Sequence, residues 1–298
     1  MKTILLTTII IGLITGVDAQ TFTEKSTKEF TFSKSSPNNT LMVLNINGSI
    51  EVKGYKGDKI IVETEKTIHA KTESQLERAK EKLAFGYKDL SDTLILYIDG
   101  LCYSFGKQKD HNNSDHNGWG YNWQNCHDGD GWVKDESFDY TMNFTIQVPE
   151  GISVVASTIN NGDVTVLDVK GEVVANNING SIKLDHLLSK AIAHTINGNL
   201  DLSYDVNPSD DCRFYTLNGN INADFSKGLA ANLSFESFNG EFYTNLEQME
   251  LLPVTVEKVD NKPGVRYKIK GNRYKIRNGG ANLDFETFNG DVYLKERK

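Results

Sequence analysis

Little in this chain points to covalent or metallic scaffolding. Its 298 residues hold only three cysteines, too few for the disulfide framework that small exported domains use in place of a core. In an oxidising compartment Cys102 and Cys126 could form one bridge, leaving Cys212 single and buried. A basic surplus is lacking too. The net charge is −8, which excludes nucleic acid as a partner, because phosphates demand a basic footprint. After the first residues no apolar run approaches the roughly 20 residues that span a bilayer, so the chain is not read as an integral membrane protein. A nucleophile elbow, a phosphate loop and an HExxH motif are all missing. His69, His186 and His194 have no evident catalytic partner in the sequence, and His194 reads as a surface residue. The expectation is a chain that is no enzyme, with no catalytic residue, metal ligand or cofactor.

What is present begins with a leader. Lys2 gives a positive start, Ile4 opens an apolar stretch that runs to Thr15, and Val17-Asp18-Ala19 ends on the small residue that a signal peptidase reads. Cleavage near Ala19 predicts an exported protein, periplasmic or at the cell surface or secreted, with a mature chain of residues 20–298. Lys2 and Asp18 cancel, so the acidic balance survives processing.

A short phrase then organises the chain: apolar residue, Asn, Gly, small or polar residue, apolar residue. Its Asn-Gly pairs are Asn47-Gly48, Asn179-Gly180, Asn197-Gly198, Asn218-Gly219, Asn239-Gly240 and Asn289-Gly290, with a stretched copy at Asn161-Gly162. From Gly162 to Gly240 the glycines step by 18, 18, 21 and 21 residues. Periods of this length mark repeats that bury their apolar faces only by stacking. After Gly162, Val164 and Val166 alternate with polar residues, and Gly171 breaks the run before Val173 and Ala175 start a second face. Gly48 and Gly57 have the same nine-residue spacing. Each coil therefore holds two strands with a corner at each end. Gly is expected to supply positive φ at the corner, Asn to bond its counterpart one coil away, and the apolar residue before Asn to point inward. The fold class expected is all-β, a single-stranded β-solenoid resembling a parallel β-helix, forming one domain. Asn-Gly is also a strong hairpin signal, so an antiparallel meander is the rival.

Three segments interrupt the pattern. Residues 72–84 predict a helix with Leu76, Ala79 and Leu83 on one face and Thr72 with Gln75 as a capping box. It lies between predicted strands at 59–65 and 93–98. A long insertion spans 99–137. A third, 251–277, is read as a basic hairpin in which Arg266, Lys268, Lys270, Arg273, Lys275 and Arg277 alternate with Tyr267, Ile269, Tyr274 and Ile276.

The order of these pieces resembles the bacterial putative-adhesin family: a signal peptide, NGSIEVKGYKGDKIIVE, a short helix, DTLILYI, then NFTIQVPEGISVVASTINNGDVTV and further Asn-Gly coils. The resemblance runs from about residue 41 to the end. It implies an exported cell-envelope protein of unknown function with a β-solenoid fold, and it carries no catalytic set to this chain. The insertions at 99–137 and 251–277 depart from that pattern.

The first insertion holds all three tryptophans, Trp119, Trp123 and Trp132, with His111, His116, His127, Cys102 and Cys126. Flat rings among Asn, Asp and Gly suit a glycan, whose apolar faces stack while its hydroxyls take polar neighbours. The alternative is that the rings pack the insertion onto the rest of the chain. The histidine and cysteine spacings fit no established zinc site, and Asp128-Gly129-Asp130-Gly131 does not continue as a calcium loop. The partner expected is a cell-envelope glycan or protein. A purely structural envelope scaffold and a polysaccharide-active β-helix enzyme are the other readings.

Overall fold

The computed structural model describes residues 12–16, 19–32, 36, 38–100, 103–107, 119–123, 127–128, 131–132, 138–259, 266–270 and 272–298. Side chains at 12–16, 19, 127–128, 131–132, 255–259 and 266–270 fall outside that description. Cys102, Cys126, His111 and His116 lie outside the described residues, so the expected bridge falls there too. The chain divides into two compact units, Met1–Gly162 and Asp163–Lys298. Among the described residues it is all-β with one helix and mixed sheets.

In the first unit one sheet runs in the order Gly12–Gly16, Ala19–Phe30, Ile60–Ala70, Asp139–Pro149, Ile50–Tyr55. Its first three junctions are antiparallel and the last is parallel. Part of the expected leader, Gly12–Gly16, is therefore paired as an outer strand. The nine-residue spacing after Gly48 does not turn the chain into a second parallel face. Instead Ile60–Ala70 remains in the same sheet and pairs antiparallel on both sides. At eleven residues it is long enough to satisfy its backbone by hairpin-like pairing with two neighbours.

The other sheet of this unit runs Ser153–Ser157, Thr40–Leu44, Thr93–Asp99, Ala84–Asp89. Thr40–Leu44 and Thr93–Asp99 are buried on both faces. Their sequences, TLMVL and TLILYID, are near-continuous apolar runs, as strands covered from both sides must be. The helix is Glu73–Lys82. Thr72 is its N-cap, with the Gln75 backbone N–H donating to Thr72 Oγ1 at 3.2 Å, and Leu76 and Ala79 are buried. Leu83 at the C-cap is buried as well.

The second unit is more regular. One sheet stacks Val164–Leu167, Ile182–Leu187, Leu200–Tyr204, Ile221–Phe225, Val292–Glu296 and Phe242–Thr244, all parallel. Val164, Ile182, Leu200, Ile221 and Val292 form one buried column across it. The other sheet stacks Val173–Asn176, Ala191–Asn197, Cys212–Asn218, Ala281–Asn289 and Ala231–Asn239 in parallel, and ends with Arg273–Ile276 and Met249–Leu251 antiparallel. Cys212 is buried and free, with Tyr204 Oη 3.4 Å from its sulfur.

The stacking order departs from chain order at one place. The coil at 231–244 does not sit on the coil at 212–225. The last coil of the chain, 281–296, lies between them: Cys212↔Leu283 and Phe214↔Phe285 on one side, Leu233↔Leu283 and Phe235↔Phe285 on the other. The expected basic hairpin also differs. Arg266–Lys270 pairs with Thr255–Val259, while Arg273–Ile276 pairs with Ala231–Asn239 and Met249–Leu251. Placing Arg273–Ile276 against the sheet edge buries Ile276 there, which a free-standing hairpin could not do.

The C-terminus is clamped into this order. Arg297 Nη2 donates to Asp205 Oδ1 at 3.1 Å, to Ser226 Oγ at 3.0 Å and to the Tyr204 carbonyl. Glu296 accepts from the Leu229 backbone N–H at 3.0 Å and from Arg277 Nη2 at 2.8 Å. On the other oxygen of Asp205, His186 Nδ1 sits at 2.8 Å. The hydrogen bond to Asp205 raises the His186 pKa, and the hydrogen bond from Arg277 lowers that of Glu296. The two signs are opposite. His186 stabilises the fold fully below the ordinary imidazole range, and that contribution is lost as pH climbs through its raised value. Glu296 contributes fully above the ordinary carboxylate range and loses it as pH falls through its depressed value. Melting temperature followed against pH should fall less on the neutral-to-alkaline side in His186→Asn than in the wild type. Asparagine tolerates the left-handed backbone found at this position (φ 60°). Parallel curves would show that the pair contributes nothing. Among the described residues, no helix is long and apolar enough to cross a membrane.

Candidate functional site

The Asn-Gly corners make three hydrogen-bonded columns in the second unit. In the first, asparagine side chains bond in series: Asn239 Nδ2 donates to Asn289 Oδ1 at 2.9 Å, Asn289 to Asn218, Asn218 to Asn197, and Asn197 to Asn179, each at 2.8 Å. In the second, the residue after each glycine offers its side-chain oxygen to the next backbone N–H. Asp163 accepts from Ser181, Ser181 from Asn199, Asn199 from Asn220, Asn220 from Asp291, and Asp291 from Glu241. In the third, buried hydroxyls two residues before the asparagine donate to a glycine carbonyl one coil away: Thr195 to Gly180, Thr216 to Gly198, and Thr287 to Gly219.

Two expectations about the corners are met only in part. Gly48, Gly219 and Gly290 have the positive φ expected of a corner (121°, 159° and 153°), and close approach is a second reason for glycine there and at other corners. A Cβ on Gly198 would lie 2.2 Å from the Gly180 carbonyl oxygen, and one on Gly219 would lie 2.0 Å from that of Gly198. Gly162 and Gly240 are blocked in the same way by Gly48 and Gly290. Ile46, before Asn47, is buried as expected, but in the second unit the apolar residue before the asparagine is turned outward at several corners. Phe238 is 74% exposed, and Ile178 and Phe288 are exposed too. Inward pointing falls to the Thr or Asn one residue earlier, because strand alternation then places the Asn itself at the edge. In the first unit the Gly48 N–H of the Asn47-Gly48 corner donates to the Asn160 carbonyl at 2.8 Å, and buried Asn45 donates to the Gly48 and Met142 carbonyls. Asn161 takes a left-handed backbone conformation (φ 58°).

The insertion at 99–137 contributes an antiparallel hairpin, Tyr103–Lys107 with Trp119–Trp123. It covers the outer face of the sheet in its own unit. Phe105 joins Met42, Leu44 and Ile95 in a buried cluster, with Tyr97, Trp119, Tyr121 and Val155 packed around it. Tyr121 locks the hairpin down: its hydroxyl donates to the Leu44 carbonyl at 2.7 Å and accepts from the Ile98 N–H at 3.1 Å. The Tyr103 and Tyr140 hydroxyls are bonded to each other. Burial raises the pKa of all three phenols, so they remain protonated donors.

The two described tryptophan side chains differ in role. Trp119 stacks on Phe105 at 5.8 Å and 15°, with the Lys88 and Lys107 ammonium groups 5.3 and 5.7 Å from its ring centre. It is a packing residue. Trp123 is 63% exposed and is held edge-to-face by Tyr103 at 5.7 Å. The Trp132 and His127 side chains lie outside the described residues, although both residues belong to a short paired ladder. Two solved structures resemble the chain. One is described as a putative cell adhesion protein from Clostridium sporogenes ATCC 15579, at 13% identity, with a TM-score of 0.46 and coverage of 92% of this chain and 100% of that one. The other is a putative adhesin from Bacteroides fragilis NCTC 9343, at 11% identity, with a TM-score of 0.30 and coverage of 92% and 97%. No family model matches the chain, and no curated protein does.

The sequence singled out the tryptophans but missed Tyr103, Tyr121 and Tyr140, which position them. The signal was available, since Tyr103, Phe105, Tyr121 and Trp123 recur at the two-residue spacing of a strand face. His194, expected at the surface, is exposed and packs edge-on against Tyr215 at 4.5 Å. Among the described residues no group of three His, Cys, Asp or Glu is placed to hold a metal ion.

Proposed function

We propose that the protein is an exported, non-catalytic, adhesin-like β-solenoid that holds a cell-envelope glycan or protein against the Trp123 end of its aromatic hairpin. The observation that carries this reading is the unequal fate of the tryptophans. Trp119 is consumed by packing, whereas Trp123 presents an open ring on a hairpin already anchored by Tyr121. A rigid, pre-placed ring loses little entropy on binding. The leader expected from the sequence supports export, and parallel coils that repeat in register support the solenoid. Non-catalytic character is supported by the use of the side chains after the corner glycines, which are spent on backbone N–H groups of the next coil.

A second reading, a structural envelope scaffold without a soluble ligand, is favoured by the outward apolar residues of the corners: Ile178, and the stacked pair Phe288 and Phe238. A glycan array separates the two. Trp123→Ala should weaken binding about tenfold, the equivalent of one aromatic contact, with the melting temperature unchanged. Trp119→Ala should instead destabilise the fold by about 2 kcal/mol through the lost packing. An array with no hits, or hits indifferent to Trp123→Ala, would leave the scaffold reading standing.

A further inference from the structure

The two bonding columns at the asparagines run in opposite directions, and both end at the same residue pair. Backbone N–H groups of the corner glycines donate toward the following coil: Gly198 to the Asn218 carbonyl at 3.0 Å, Gly219 to Asn289 at 2.9 Å, and Gly290 to Asn239 at 3.0 Å. The coil at 231–244 is the last in this stack, so Gly240 has no asparagine carbonyl to receive its N–H among the described residues. Side-chain amides donate the other way, so each inner asparagine also has an occupied Oδ1. Asn289 Nδ2 fills that of Asn218, and Asn239 Nδ2 fills that of Asn289. Among the described residues, Asn239 Oδ1 closes the series without a donor from a further coil. Asn239 and Gly240 are both exposed.

This matters because asparagine followed by glycine can react with itself. The glycine nitrogen loses its proton to solvent and attacks the asparagine Cγ. The N–Cγ bond forms, the Cγ–Nδ2 bond breaks, and Nδ2 departs as ammonia carrying a proton from water. Water then opens the succinimide at either carbonyl to give aspartate or isoaspartate, with no oxidant or reductant involved. In the inner coils the nucleophilic nitrogen is tied to a neighbouring carbonyl, and the electrophilic amide is fixed at both ends. Reaction there requires the coil to open first.

We propose that Asn239-Gly240 is a spontaneous deamidation site of the folded protein, while the stack keeps Asn197, Asn218 and Asn289 unreactive. The product removes the donor to Asn289 Oδ1 and places a negative charge opposite that oxygen, close in sequence to Glu241. Isoaspartate also lengthens the backbone by one carbon and breaks the register with Asn289. Conversion therefore loosens the terminal coil and leaves the inner ones intact.

Incubating the full chain in mildly alkaline buffer, with peptide mapping and isoaspartyl methyltransferase labelling over time, tests this. In the folded protein Asn239 should convert at least about tenfold faster than Asn197, Asn218 or Asn289, the factor expected from one protecting hydrogen bond that must open. In urea the four should converge. Equal rates in the folded protein would overturn the proposal, as would an inner asparagine that leads. Asn239→Gln should abolish the label on the peptide that carries residue 239, since the longer side chain closes a less favourable ring. Label that persists there would place the chemistry at another residue and sink the assignment.

Discussion

A chain that stops at Gly280 should lose two coils, not one. Residues 281–296 are the neighbours of both 212–225 and 231–244, so their removal leaves the coil at 231–244 with no parallel partner in either sheet. Leu283, Phe285, Val292 and Leu294 leave the core. At about 1.5–3 kcal/mol per buried side chain, their joint contribution rivals the whole stability margin of a typical domain, about 5–15 kcal/mol. Arg277 loses Glu296, and Asp205 loses Arg297. Limited proteolysis of the truncated chain should cut freely throughout 226–280, and the cooperative transition of the second unit should broaden or disappear. A strictly sequential stack makes a different forecast, in which trimming the final coil leaves the one before it protected. Protection of 231–244 in the shortened protein would therefore refute the intercalated order.

Replacing Gly219 with alanine should be severely damaging for a single added methyl group. The new Cβ would fall 2.0 Å from the Gly198 carbonyl oxygen and 2.6 Å from its carbon. Those atoms are backbone, and the Gly198 oxygen is already fixed by the Thr216 hydroxyl at 2.8 Å. Relief requires the two coils to separate, which breaks the neighbouring ladder bonds as well. The cost expected is about 3 kcal/mol, at the upper end for overpacking. Gly151→Ala is the matched control: nothing lies within 4 Å of a Cβ there, and the backbone is not left-handed. That change should be neutral or stabilise by up to about 1 kcal/mol by restricting the unfolded chain. Urea unfolding of both variants gives the comparison. Similar midpoints would mean that the corner column tolerates a wider spacing than its geometry implies.

Much of this architecture was legible from residue order, and the failures have physical causes. The helix declared itself through Thr72, Gln75 and the face Leu76, Ala79, Leu83. The strands after Gly162 and Gly171 followed from two-residue alternation. Phe238 faces outward although an apolar residue beside a corner reads as core. The rule that places it outside depends on Thr195 or Ser237 facing in, and a buried hydroxyl is recognised only once its carbonyl acceptor is known. The stacking order has a signal in the sequence. Residues 231–243 and 281–293 are close copies of each other, and they pair directly, with Phe235 on Phe285 in register and Phe238 stacked on Phe288 at 4.8 Å. Like segments stack well because identical side chains fill identical spaces. The antiparallel pairing of Ile60–Ala70 could not be separated from a parallel coil, since alternation is the same in both. At the aromatic hairpin, the apolar runs in Thr40–Leu44 and Thr93–Asp99 announced that something covered their outer face, but only the folded chain identified Phe105, Trp119 and Tyr121 as the cover.

The intercalated coil also sets a timetable for assembly. A nascent polypeptide appears from its N-terminal end, so rungs at 164–187 and 191–225 can close one after another as they emerge. The segment at 231–244 then has to wait, with its pairing groups unoccupied, until about fifty more residues have been made. Only when residues 281–296 slip into the gap can that waiting segment lock. A synthesis product that stalls before residue 281 would therefore carry an open, sticky edge at 231–244 that quality control could recognise.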